Sequence, residues 1–152
     1  MLLNFAILLI ACCVAASMGA LFPPDEWYDG VKKAPWNPPN WVFPTVWSLL
    51  FLAIAYSAAR VSLLPGSGTA LALWALQLAL NTIWTPIFFG LRRLKLGLIV
   101  IVLLWLAVFA TCVAFFKLDN VAGLLFIPYI IWVTIAASLN FMVIRLNPGL
   151  ES

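Results

Sequence analysis

Five stretches of this chain carry no charged side chain, and they constrain its fold more than any other feature. Residues 1–24, 34–59, 61–91, 96–116 and 120–144 contain no Asp, Glu, Lys or Arg. Each can supply the ~20 apolar residues with which an α-helix crosses a hydrocarbon core. Overall the chain is 66% hydrophobic and 9% charged, against about 25% charged in soluble domains. A chain of 152 residues has no water-soluble way to hide that much apolar surface. The expectation is an all-α integral membrane protein, a five-transmembrane-helix bundle with residues 1–152 as one membrane domain.

Turn chemistry sets the boundaries. The first helix is expected over 3–21, stopped by Pro23-Pro24, and the second over 44–63, with Pro44 in a first turn where no amide partner is needed. Leu64-Pro65-Gly66-Ser67-Gly68 signals a tight turn before a third helix at 69–89. The basic Arg92-Arg93-Leu94-Lys95 connection precedes a fourth at 96–116, and Lys117-Leu118-Asp119-Asn120 a fifth at 121–146, with Pro128 near its start. Five spans put Lys32, Lys33, Arg92, Arg93, Lys95 and Arg145 at one end and only Arg60 and Lys117 at the other. In a bacterial inner membrane the positive-inside rule places the first end, with the 22–43 loop and the C-terminus, in the cytoplasm. Leu9-Ile10-Ala11-Cys12 loosely fits a lipoprotein cleavage pattern, but no Lys or Arg precedes the apolar run, so a leader is not expected. No internal repeat of the kind that builds many secondary transporters is visible.

The loop is the chemically distinctive part. The stretch from Phe22 to Trp47 holds six of the ten prolines, four of the eight tryptophans and five of the thirteen charged residues. A polar, aromatic, proline-stiffened segment between apolar spans suits a lid over a binding site. The chain has no histidine, and Cys12, Cys13 and Cys112 lie in apolar runs without metal spacing, so neither a metal centre nor a catalytic constellation is expected. Eight scattered basic residues are too few for a nucleic-acid footprint. The middle of each span lacks a titratable acid or base, which argues against a proton- or ion-coupled carrier. What the spans do hold is neutral. Gln77, Asn81 and Thr85 recur every four residues beside Trp74 and Trp84; Trp132, Ala136 and Asn140 share a face near Ser138; Trp47 and Phe51 lie one turn apart. Such amides also serve as interhelical bonds worth ~0.6–2 kcal/mol, and tryptophans as interfacial belts. Trp47 and Trp132 lie deeper than a belt requires, and flat aromatic walls with a few orienting polar groups suit a pocket.

Two further patterns bear on partners. Ala11, Ala15 and Gly19, flanked by Cys12, Ala16 and Ala20, form a small-residue stripe on the first helix, and Ala72, Ala75 and Ala79 another on the third. Such faces let helices approach closely, inside the bundle or across a homodimer seam. Leu52…Tyr56…Arg60 fits a proposed sterol pattern strictly, and Leu139…Phe141…Arg145 fits it if Phe141 stands for Tyr; such patterns are frequent by chance.

Taken together, these residues resemble the TspO family of tryptophan-rich sensory proteins, also called translocator proteins or peripheral benzodiazepine receptors. The resemblance rests on Trp27-Tyr28-Asp29, Pro35-Trp36-Asn37-Pro38-Pro39, Val42-Phe43-Pro44 and Val46-Trp47 in the loop. Gln77…Asn81…Trp84-Thr85-Pro86…Gly90, Ile127-Pro128-Tyr129…Trp132 and Leu139-Asn140-Phe141 with Arg145 complete it, over nearly the whole chain. It implies a five-helix bundle that is usually a homodimer, for which the small-residue faces of helices one and three are the candidate seam; the expected lack of a leader suggests a bacterial member. It also implies a pocket for porphyrins such as protoporphyrin IX and for benzodiazepine-type ligands, with sterol or lipid as further ligands. By matching motifs the pocket comprises Trp27, Tyr28, Trp36, Trp47, Phe51, Asn81, Trp84, Trp132, Ala136 and Leu139. Phe141 replaces the tyrosine of the animal sterol motif, which argues against tight sterol binding here.

The residues are compatible in one useful way with the tetrapyrrole that the resemblance implies. Without histidine and with only core cysteines, the chain offers no good axial ligand for haem iron. A free-base ring needs aromatic faces, with Lys32, Lys33 or Arg145 as candidates for its propionates. The leading expectation is therefore a membrane receptor or sensor for porphyrin without a cofactor of its own. A transporter of porphyrin or lipid comes second. Third is light-dependent porphyrin degradation, for which Trp27 or Trp132 would have to supply electrons.

Overall fold

The computed structural model describes residues 1–150. Five long helices form the bundle: α1 (Leu2–Leu21), α3 (Val42–Ser62), α4 (Gly68–Thr85), α5 (Leu94–Leu118) and α6 (Asn120–Leu146). A short helix, α2 (Glu26–Gly30), lies in the loop after α1, and α4 runs on into a π-helical turn over Pro86–Gly90. All five spans are long and apolar enough to cross a membrane, and their ends fall within two residues of the helix bounds expected from the turn residues. The loop differs from expectation in holding a helix. Asp25 makes it possible, because its carboxylate accepts the Tyr28 amide at 3.1 Å and caps the first turn.

Around the bundle α1 packs on α3, α3 on α6, α6 on α5, α5 on α4, and α4 back on α1. The shared core is aliphatic and aromatic, with Ile54, Leu104, Phe115, Phe126, Tyr129 and Val133 fully buried. A stripe of Ile99, Leu103, Leu106, Phe109 and Val113 on α5 stays exposed at helical spacing, as a lipid-facing surface should. The tightest seam joins α5 to α6. A Cβ added at Gly123 would overlap the Phe116 ring, so only glycine admits this approach. Gly123→Ala is expected to cost about 1–3 kcal/mol, read as a lower unfolding temperature in detergent. An unchanged temperature would mean that the seam yields freely.

The two ends are closed differently. Away from the loop, Arg60 donates to Asp119 at 2.6 Å, and Asp119 also caps α6 by accepting the Val121 amide at 3.0 Å. The Arg60 hydrogen bond holds the Asp119 carboxyl below the usual carboxylate range. The other end gathers the 22–41 loop, the 91–93 connection and the end of α6 into one layer, where the candidate site lies.

Candidate ligand cavity

A cavity of about 480 Å³ opens beneath the loop, within the size range of small-molecule sites. Four spans wall it and α5 does not. Its origin is local. Where α1 presents Ala15, Ala16, Gly19 and Ala20, no side chain is large enough to fill the space between α3 and α4. The small-residue stripe read as a helix-packing face is thus largely cavity wall, with Cys12 and Ala15 buried in the bundle core. Ala16, Gly19, Ala20, Pro44 and Ser48 line the cavity and remain exposed, so it opens sideways between α1 and the start of α3. On α4, Ala72, Ala75 and Ala79 lie on the outer, exposed face.

Two stacked aromatic pairs dominate the lining. On α3, Trp47 stacks on Phe51 with centroids 5.7 Å apart and planes 28° from parallel. From α4 and its π-turn, Trp84 stacks on Phe88 at 5.1 Å and 24°. The π-turn is what makes the second wall. The Leu91 amide bonds back to the Pro86 carbonyl at 2.8 Å, five residues earlier, which widens the coil. Phe88 and the adjacent Phe89 then both line the cavity and both pack edge-on against Tyr28, at 6.2 and 5.1 Å. Among the described residues the lining contains no Asp, Glu, Lys or Arg. Asn140 is fully committed: its oxygen accepts the Trp84 indole N–H at 3.1 Å and its nitrogen donates to the Leu94 carbonyl at 3.0 Å. Gly97 makes room for that amide, since a Cβ there would sit 3.1 Å from the Asn140 oxygen. Asn81 lines the cavity with its oxygen unpaired among the described residues.

The loop is held over this space at four points. Asp25 pairs with Arg92 at 3.1 Å. Arg92 reaches it from a left-handed backbone (φ 55°), uncommon for a residue with a side chain. The Tyr28 amide first, and Arg92 after it, hold the Asp25 carboxyl below its ordinary range. Tyr28 is buried, its hydroxyl donates to Asn37 at 3.3 Å, and burial pushes its phenol above the usual tyrosine range. Asn147, just past α6, accepts the Lys32 amide at 2.9 Å and donates to the Lys32 carbonyl at 2.8 Å. The Trp36 indole donates to Ser138 on α6 at 3.0 Å.

Of the ten pocket residues read from the sequence, Tyr28, Trp47, Phe51, Asn81, Trp84, Ala136 and Leu139 line the cavity. Trp27, Trp36 and Trp132 do not. Trp27 packs edge-on on Phe88 at 6.3 Å under the Arg92 guanidinium. Trp36 is a half-exposed clip on the outside of α6. Trp132 stands behind the wall, edge-on to Phe43 at 5.7 Å and to Trp47 at 6.3 Å. The propionate candidates also lie elsewhere. Lys33 donates to the Asp29 and Val31 carbonyls and covers the Tyr28 ring, Lys32 is exposed, and Arg145 lines a smaller cavity with Lys95. Leu139, Phe141 and Arg145 do not form one surface: Leu139 points into the main cavity, whereas Phe141 is exposed. Sequence reasoning missed Phe88, Phe89 and Asn147 as site residues, and read the α1 alanines as a packing face and Ser138 only as a polar neighbour of the Trp132 face. The Pro86-Ile87-Phe88-Phe89-Gly90 run was the available signal for the first two, since a proline before paired aromatics distorts a helix end.

Residues 6–146 match the TspO/MBR family. Protein CrtK of Rhodobacter capsulatus is 56% identical over 149 residues, which is 95% of this chain and 93% of that one. A tryptophan-rich sensory protein of Cereibacter sphaeroides is 53% identical over 143 residues, covering 94% and 90% of the two chains. The human translocator protein is 38% identical over 129 residues, covering 82% and 76%. A five-span bundle, a tryptophan-rich loop clipped over one end and agreement along almost the entire length lead to one conclusion: this multi-pass membrane chain belongs to the TspO/MBR family.

Proposed function

We propose that the protein is a membrane receptor that holds a flat, largely apolar tetrapyrrole such as protoporphyrin IX in the cavity beneath its loop and signals its presence. The observation that carries this reading is the pair of stacked aromatic walls, Trp47 on Phe51 and Trp84 on Phe88, facing an uncharged space of about 480 Å³. Such walls favour planar ligands through offset stacking, worth ~0.5–1.5 kcal/mol per aromatic contact beyond burial. The uncharged lining offers propionates no ion-pair partner, so this reading sets them at the loop-end rim of the cavity. The names of the relatives, a tryptophan-rich sensory protein and a translocator protein, agree with ligand recognition in a membrane.

A titration of purified protein with protoporphyrin IX, haem and a sterol, followed by tryptophan quenching, tests the reading. Saturable quenching by protoporphyrin IX is expected, with haem binding no more tightly, because the lining holds no His, Cys or Met to ligate iron. Trp47→Ala should weaken binding about tenfold, the loss of one stacking wall. Wild-type quenching that never saturates would defeat the proposal. The same reading sets the loop end, with its six basic residues, in the cytoplasm. A membrane-impermeant maleimide should then spare Lys32→Cys in intact cells and label it after lysis; labelling before lysis reverses the orientation.

A further inference from the structure

Gln77, one turn below Asn81 on α4, is fully buried, and so is Tyr129 of α6 opposite it. The three side chains form a chain of hydrogen bonds. The Asn81 amide nitrogen donates to the Tyr129 hydroxyl at 2.7 Å, and that hydroxyl donates to the Gln77 oxygen at 2.7 Å. Two atoms are left over. The Asn81 oxygen is unpaired on a residue that lines the cavity, and the Gln77 nitrogen is buried with no partner. A buried N–H without an acceptor is the most costly kind of polar loose end, more so than an under-used carbonyl.

The loose end has a remedy that moves no backbone. Amide oxygen and nitrogen are nearly the same size, and the terminal torsions of Asn and Gln are broad and two-fold. Turning both amides over and rotating the phenol proton reverses the chain. Gln77 then donates to Tyr129, Tyr129 donates to Asn81, and the Asn81 nitrogen faces the cavity in place of its oxygen. The reversed order satisfies the buried Gln77 nitrogen and leaves only a carbonyl under-used. Each order therefore has one advantage. The first offers the cavity an acceptor, and the second offers it a donor.

We propose that Asn81, Tyr129 and Gln77 form a reversible hydrogen-bond chain through which the cavity presents either an acceptor or a donor to its ligand. Gln77, which touches no ligand, is the positioning residue that keeps both polarities open. The proposal rests on the reading of the cavity as a ligand site and extends it: ligands of one flat shape but opposite hydrogen-bonding character are accommodated by one asparagine. A ligand selects whichever order it binds better, and the apparent affinity falls with the fraction of protein in the other order.

Two flat tricyclic probes separate the orders: carbazole, whose N–H donates, and fluorenone, whose C=O accepts. Calorimetric titration of the full-length protein should find that both probes bind, fluorenone the more tightly, because the order that presents a donor leaves no buried N–H stranded. Gln77→Met keeps the length of the side chain but removes the strong acceptor for the Tyr129 proton. The phenol must then donate to the Asn81 oxygen, which fixes the amide nitrogen toward the cavity. The affinity ratio should swing about tenfold toward fluorenone, the loss of one neutral hydrogen bond by carbazole. Tyr129→Phe cuts the chain and frees Asn81 to turn, so the ratio should fall back from the Gln77→Met value toward parity. A packing defect would weaken both probes together and leave the ratio alone. Equal shifts in Gln77→Met, or none, would overturn the chain while leaving the ligand site standing. A wild-type protein that binds neither probe would overturn the ligand site and the chain with it.

Discussion

Replacing Ala136 with phenylalanine should abolish saturable binding of protoporphyrin IX, by at least about a hundredfold, and leave the fold as stable as before or more so. Ala136 lies on α6, is 6% exposed and lines the cavity. A ring placed there occupies the space between the Trp47–Phe51 and Trp84–Phe88 walls. A hundredfold loss corresponds to about 2.7 kcal/mol, within what removal of a stacking slot can cost. Stability moves the other way because the ring enters existing space and does not displace packed atoms; cavity filling commonly adds ~0.5–2 kcal/mol. Ala122 supplies the contrast. It is on the same helix, fully buried and outside the cavity, and its carbonyl accepts the Ser57 hydroxyl at 2.8 Å. Ala122→Phe should therefore lower the unfolding temperature, by about 1–3 kcal/mol of overpacking. Quenching titrations and thermal unfolding on both variants check the pair. Undiminished affinity in Ala136→Phe would place the ligand elsewhere.

The spans were legible because charge in hydrocarbon is so unfavourable that its absence marks five helices, and proline, glycine and polar turns then set their ends to within two residues. The cavity was legible only in part, because its walls arise from three different causes. Trp47, Phe51 and Asn81 announce themselves as polar or aromatic residues at helical spacing. Phe88 and Phe89 reach the site through a π-turn, which a regular 3.6-residue period cannot register. The α1 wall is made by what its side chains lack, and alanine and glycine carry the same pattern whether they admit a helix or leave a void. Trp132 shows a related limit. It shares a helical face with the cavity-lining Ala136, but it packs edge-on against Phe43 and Trp47 of α3 and is not itself a lining residue. Depth along a helix can be read from sequence; which neighbour a side chain packs against cannot.

The loop is where the two kinds of information meet, and the second large effect lies there. Removing two of its clips together, Asp25→Ala with Asn147→Leu, is expected to speed release of protoporphyrin IX roughly tenfold to a hundredfold. Association should change far less. Asp25 holds the start of the loop through the Tyr28 amide and Arg92, and Asn147 holds its middle through both backbone atoms of Lys32. Each such bond is weakened where water can replace it, so the effect is read from the loss of both clips together. The loss falls on the closed state of the lid, hence on dissociation. Asn147 also donates to the Val143 carbonyl at the end of α6 at 2.9 Å, but the main bundle core lies away from these groups, so the unfolding temperature should fall only slightly. Stopped-flow displacement of bound porphyrin measures the rate directly. Unchanged release in the double variant, with Tyr28 still seated on Phe88 and Phe89, would mean that aromatic packing alone closes the site and that the polar clips only set the course of the loop.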